Sequence, residues 1–159
     1  MYYNRLKDAF IQRAFATITR PNSKLRTYSL IKENIGIEDY LISIRNTKQR
    51  NSLSKFRLSN HKLMIEVGRH QKLPKNERLC PFCLPGHIED EIHFLTQCKL
   101  YNTIRKPLFD KCAEIKPNLQ YYTNTEQFKF IMSCSILKKE VAKFIHEGMN
   151  MRTIALENV

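Results

Sequence analysis

Apolar residues recur at helical spacing along most of the chain. In residues 2 to 19, Leu6, Phe10 and Ala14 align with Ala9, Phe15 and Ile18, and Arg20-Pro21-Asn22 stops the run, predicting a first helix. Ser23 is the expected cap of a second helix carrying Leu25, Tyr28, Leu30 and Ile31 as far as Asn34-Ile35-Gly36. Ile37 to Ile44 is a short apolar segment, read as one or two helical turns on the core. A helix over about 46 to 57 places Arg45, Lys48, Ser52 and Lys55 on one face, with Leu53 and Phe56 on another. Asn60 is placed as the cap of a helix from His61 to Arg69 that buries Leu63, Met64 and Val67, flanked by His61 and His70 in exposed or capping positions. Further on, Leu100, Ile104, Leu108, Phe109 and Cys112 keep helical spacing, with Lys106-Pro107 as a bend or restart. After the break at Lys116-Pro117-Asn118, Thr125 caps a helix through Phe128, Phe130, Ile131 and Met132. A last helix from Ser135 bears Ile136, Val141, Phe144, Ile145 and Met149. The only strand pattern is a small hairpin in the cysteine-rich stretch. The expected fold class is therefore mostly α, a helical domain with a small embedded Cys3His zinc knuckle.

That stretch carries the candidate chemistry. Cys80-Pro-Phe-Cys83 followed by His93 and Cys98 reads Cys-x2-Cys-x9-His-x4-Cys, which is zinc-ligand spacing. Two cysteines two residues apart grip one ion from a tight turn, and a His and Cys five apart reach it from the end of a short helix. Four protein ligands leave no place for water or substrate, so one structural Zn2+ is expected rather than a catalytic one. His87 is the alternative fourth ligand. His93 is preferred because Glu89-Asp90-Glu91-Ile92-His93-Phe94-Leu95 has an acidic first turn and an apolar stripe, whereas His87 follows Pro85-Gly86 in a turn. The chain divides into a basic helical region (1–72), the knuckle (73–99) and a C-terminal helical region (100–159), read as one compact unit.

Composition sharpens this picture. The 159 residues hold 42% hydrophobic and 26% charged residues, ordinary for a globular domain. No apolar run is long enough for a membrane helix and the N-terminus lacks a signal-peptide core, so an intracellular protein with no membrane partner is expected. Three of the five cysteines belong to the knuckle, and Cys112 and Cys134 lie in apolar helical contexts, so disulfides are not expected. Net charge is +12, with 17 Lys+Arg against 6 Asp+Glu in residues 1–79 and 10 against 9 thereafter. Residues 45–78 are the most basic stretch, opposed only by Glu66 and Glu77. A one-sided positive field favours a polyanion, with nucleic acid the first candidate.

Leu58-Ser-Asn-His61, Ile65-Glu66-Val-Gly68-Arg69, Arg78-Leu-Cys80-Pro-Phe-Cys83, Glu89-Asp-Glu91-Ile-His93-Phe-Leu-Thr-Gln-Cys98, Tyr101 and Arg105 together resemble the segment after the polymerase domain in non-LTR retrotransposon reverse transcriptases. The resemblance is densest over residues 53–105, with fainter echoes at Leu25-Arg-Thr-Tyr28 and Ala142-Lys-Phe-Ile145. It implies a zinc-binding segment that helps hold template RNA or target DNA. The chain departs from whole proteins of that kind in two respects. Asp8, Asp39, Asp90 and Asp110 are scattered, without the aspartate pair that a two-metal polymerase needs. Glu114, Glu126, Glu140 and Glu147 lack the neighbouring carboxylates of a nuclease.

The expected function is therefore a non-enzymatic, zinc-stabilised nucleic-acid-binding module derived from such a tail, and nuclear by the nature of its ligand. Arg45, Lys48, Lys55, Arg57, Lys62, Arg69, Arg78 and Arg105 are the candidate phosphate contacts, and Phe82 or Tyr101 the candidates for stacking on an unpaired base. An aromatic between knuckle cysteines also packs under the metal loop, the competing role for Phe82. The alternative is an adaptor in which zinc rigidifies a helical scaffold that docks a protein partner.

Overall fold

A computed structural model describes residues 2–20, 23–32, 36–83 and 86–158. The described residues form α1 (Tyr2–Ile18), α2 (Arg26–Ile31), α3 (Asp39–Ser43), α4 (Thr47–Arg57), α5 (Met64–His70), α6 (Glu91–Thr96), α7 (Asn102–Ile115), α8 (Asn124–Ser133) and α9 (Lys138–Glu157), with 3-10 turns at Lys75–Glu77, Lys99–Tyr101 and Pro117–Tyr121. No strand occurs among them. The expected hairpin is a single antiparallel bridge, Leu79 to Ile88, flanked by Cys80 N–H donating to His87 O (2.8 Å) and Glu89 N–H donating to Arg78 O (2.9 Å).

The core joins all three sequence regions. Ile31, Phe56 and Leu63 from the basic region, Cys80, Phe94, Leu95 and Cys98 from the knuckle, and Leu108, Phe128, Ile131, Phe144 and Ile145 from the C-terminal region belong to one buried cluster. Phe94, on α6, is its hub, with ring centroids 5.4 Å from Phe56, 4.5 Å from Tyr101 and 5.4 Å from Phe144. α9 is the spine, packing along α4 and against α7, while α6 lies on α8. Gly148 of α9 faces Phe94 so closely that a Cβ there would sit 2.7 Å from the ring.

Several boundaries differ from the periodicity reading. α5 begins at Met64, not His61, because its first N–H groups are taken by a distant residue: Met64 N–H donates to the Glu89 carboxylate (2.6 Å) and Ile65 N–H to Glu89 O (3.0 Å). Asn60 is exposed and caps nothing there. α8 is capped by Thr123 rather than Thr125, through a reciprocal box in which Thr123 Oγ1 accepts from Glu126 N–H and the Glu126 carboxylate accepts from Thr123 N–H. α7 runs unbroken through Pro107. α9 starts at Lys138, so Ile136 is exposed and Leu137 takes the buried place. Ser23 accepts from Leu25 N–H just ahead of α2, without capping the helix itself. The expected stops at Arg20-Pro21-Asn22 and Asn34-Ile35-Gly36 fall partly outside the described residues. Among the described side chains of α1 only Ile18 is buried, and Leu6 and Phe10 are 53% and 66% exposed, so much of its apolar face lies at the surface.

Candidate metal centre and basic surface

The Cys80-Pro-Phe-Cys83 turn, α6 and the residue after it converge at one point. Asp90 opens α6, its side chain accepting from His93 N–H (2.8 Å), which fixes the His93 backbone and aims its ring back at the turn. Cys98 follows the helix, its N–H donating to His93 O (2.8 Å). The ligand atoms of Cys80, Cys83, His93 and Cys98 all lie within 4.8 Å of one another. The Cys98 sulfur stands 3.7 Å from those of both Cys80 and Cys83, with all three thiols free.

His93 is buried, and both of its ring nitrogens lack a hydrogen-bond partner among the described residues. A buried imidazole with neither nitrogen satisfied is costly unless something else is coordinated there. His87 is exposed and stacks on His93 with centroids 5.3 Å apart, outside the ligand set. The Cys80 thiol is held far below its usual range by the Cys98 S–H beside it, and the Cys98 thiol is pushed correspondingly up. The group can hold a metal ion.

A buried polar scaffold surrounds the cluster, and each acid of Glu89-Asp90-Glu91 has a separate partner. Glu89 takes a two-pronged ion pair from Arg152 of α9 (2.8 and 2.7 Å) as well as the α5 backbone. Glu91 accepts from Ser59 (3.0 Å), His61 (2.8 Å) and Arg26 (2.6 Å). Sequence reasoning treats these acids as a helix-dipole feature and misses their tertiary roles. The available signal is that they form the only acidic triplet in a basic chain.

The candidate phosphate-contacting residues divide into three groups. Arg45, Lys48, Lys55 and Lys62 are exposed. Lys55 and Lys62 line a groove of about 400 Å³ between α4 and the C-terminal half of α9, with Ser52, His61 and Asn150. Arg69 and Arg78 are half-buried. Arg69 grips Glu66 through two donors (2.9 and 2.8 Å), and Arg78 donates to Leu73 O (3.1 and 2.8 Å) and Ile65 O (3.0 Å).

The third group requires correction. Arg57 is buried, pairing with Glu38 (2.9 Å) and donating to Met132 O (3.3 Å), because it sits on the core side of α4. Arg105 is buried and donates to Phe94 O (3.2 Å), Leu95 O (2.9 Å) and Cys98 O (2.7 Å), satisfying carbonyls that the end of α6 leaves open. Tyr101 is 1% exposed and packs on Phe94, so it offers no face to a base. Phe82 is half-buried and packs in part against the core cluster. His61, expected in an exposed or capping position, has a side chain only 3% exposed and bonds to Glu91.

No family model, curated protein or solved structure matches the chain. Fold and site together define a helical domain organised around a buried Cys3His cluster able to hold a metal ion. No described helix is long and apolar enough to cross a membrane.

Proposed function

We propose that the chain is a non-catalytic nucleic-acid-binding module whose fold is locked by one zinc ion, and that it derives from the tail of a non-LTR retrotransposon reverse transcriptase. The zinc assignment is supported by the donor set and its spacing. Thiolates bound tetrahedrally at about 2.3 Å stand roughly 3.8 Å apart, and the observed sulfur separations are 3.7 Å. Three cysteines and one histidine close the shell, so the ion's contribution is to folding.

The observation that carries the binding role is the sorting of charge in residues 45–78. Of the two acids there, Glu66 is buried inside ion pairs with Arg26 and Arg69, leaving Glu77 alone exposed. Arg45, Lys48, Lys55 and Lys62 remain at the surface around α4, where the phosphates of a strand would meet them. Neutralising four phosphates of duplex DNA gives a log–log salt slope of about −3.6, roughly a hundredfold loss of affinity for a fourfold rise in salt. That behaviour follows from the charge distribution whatever the ancestry of the chain.

The test is a titration of labelled RNA and DNA duplexes by fluorescence anisotropy across salt, on wild type and Lys48→Glu/Lys55→Glu. Steep salt dependence that flattens in the variant is expected. Binding indifferent to salt, or to the charge reversal, would sink the α4 assignment. Metal analysis of the purified chain should find one zinc, and its absence from a folded protein would remove zinc from the reading.

A further inference from the structure

A second concavity shares no lining residue with the α4 groove. It has a volume of about 470 Å³ and is walled by the end of α1 and α2 on one side and by α5 and the Lys75–Glu77 turn on the other. Five cations, Arg20, Arg26, Arg69, Lys75 and Arg78, line it, and no carboxylate does among the described residues. Glu66 takes Arg26 and Arg69, Glu91 takes a second Arg26 donor while also facing His61, and the exposed Glu77 stands in the Lys75–Glu77 turn without lining the groove.

The charge is therefore only partly neutralised from within. Arg78 has no carboxylate partner among the described residues. Its donors go to neutral carbonyl oxygens, which leave its charge unmatched by any described carboxylate. The Arg26 Nε–H is buried and has no acceptor among the described residues, an unsatisfied donor on a side chain that lines the cavity. Arg20 and Lys75 are exposed and form no described ion pair. Arg20, Lys75 and Arg78 thus line one hollow without a described carboxylate partner, a self-repulsion that a bound anion would relieve. Arginine forks and a lysine point charge suit phosphate oxygens, and the described lining holds no aromatic side chain on which a base would stack.

We propose that this groove is a phosphate-binding site that carries a second stretch of the nucleic-acid backbone, in addition to the stretch held at α4. The proposal rests on the reading of the chain as a nucleic-acid binder. It makes the site blind to base sequence, because it touches phosphates alone. It also ties binding to the metal centre: Arg26 is held by Glu91 at the start of the helix that bears His93, and Arg78 stands two residues before Cys80.

The experiment compares three proteins: wild type, Arg20→Glu/Lys75→Glu and Lys48→Glu/Lys55→Glu. The first pair of substitutions lies at exposed positions that make no described ion pair, and circular dichroism checks that each variant stays folded. Each protein is titrated with a labelled DNA duplex across salt, and separately with pyrophosphate by calorimetry. For Arg20→Glu/Lys75→Glu the expected result is duplex affinity at least tenfold weaker, with a salt slope shallower by about 2, since each reversed cation leaves one phosphate un-neutralised. Loss of pyrophosphate binding in the same variant, but not in the α4 variant, places the phosphate in the groove. Unchanged duplex and pyrophosphate binding in Arg20→Glu/Lys75→Glu, with binding abolished in the α4 variant, overturns the groove and leaves the proposed function standing. Pyrophosphate binding that depends on Arg20 and Lys75, in a protein that binds no duplex at all, overturns the strand and assigns the groove to a small free phosphoanion. Neither ligand binding wild type overturns both.

Discussion

Buried charge is where single residues decide most in this molecule. Burial alone would raise the Glu38 carboxyl, but its ion pairs with Lys32 and Arg57 outweigh that and hold it below the usual carboxylate range. In the unfolded chain the carboxyl takes up its proton near 4.5, whereas in the folded chain it does so only at lower pH. The unfolded state therefore binds more protons as the pH falls through that window. The Glu38 contribution is complete above about pH 4.5 and is lost progressively on acidification below it. Glu38→Gln should remove that acid-side slope and, by leaving Arg57 buried without its anion, cost about 3 kcal/mol at neutral pH. Urea unfolding at pH 7 and at several acid pH values measures both, and a variant with the wild-type pH profile would contradict the pairing. At Cys112, burial pushes the thiol up to about 12, which keeps it protonated at neutral pH. Native protein should leave Cys112 unlabelled by iodoacetamide while urea-unfolded protein reacts, as peptide mass mapping can show.

At the scale of elements, local signals and tertiary contacts divide the work. α8 begins where its own four residues say it must, with Thr123 and Glu126 exchanging bonds, so Thr123→Ala should cost about 1 kcal/mol, read as a shift in the urea midpoint without a change in slope. α5 begins where a remote carboxylate says it must, since Glu89 occupies its first free N–H groups. That cap was illegible in the sequence because 25 residues separate donor from acceptor. The contact of α9 with α6 is equally specific: a Cβ at Gly148 would lie 2.7 Å from Phe94 Cζ, a ring clamped on three sides by other aromatics. Gly148→Ala should therefore destabilise by about 1–3 kcal/mol despite the better helix propensity of alanine. A thermal melt at or above the wild-type temperature would show that Phe94 can yield.

Across the whole molecule, the Cys/His cluster and the hydrophobic core are one structure. Cys80 and Cys98 are members of the same buried cluster as Phe94 and Phe128, and Arg105 closes the end of α6 onto Cys98 O. In the proposed reading, chelation should therefore lower helix content cooperatively across the chain rather than loosen the knuckle alone. Far-ultraviolet dichroism and near-ultraviolet tyrosine signals followed during EDTA titration should move together. A chelated protein that keeps its full helical signal would show that the core holds the fold without the ion.

The helical class, most helix positions and the three cysteines of the Cys/His cluster were legible in the sequence, because helical periodicity and the Cys-x2-Cys spacing are short-range patterns written into neighbouring residues. The sequence preferred His93 over His87 as the fourth member, and the tertiary structure brings the His93 ring to the three sulfurs, because that depends on which ring α6 turns toward them. The fate of the basic residues was also decided there. Arg45 and Arg57 read alike as charges along the chain, yet one is exposed while the other is buried on Glu38 and Met132 O. Charge is a property of the residue, but its availability is set by which face of its helix packs against the core, and by whether a carboxylate far along the chain arrives to meet it.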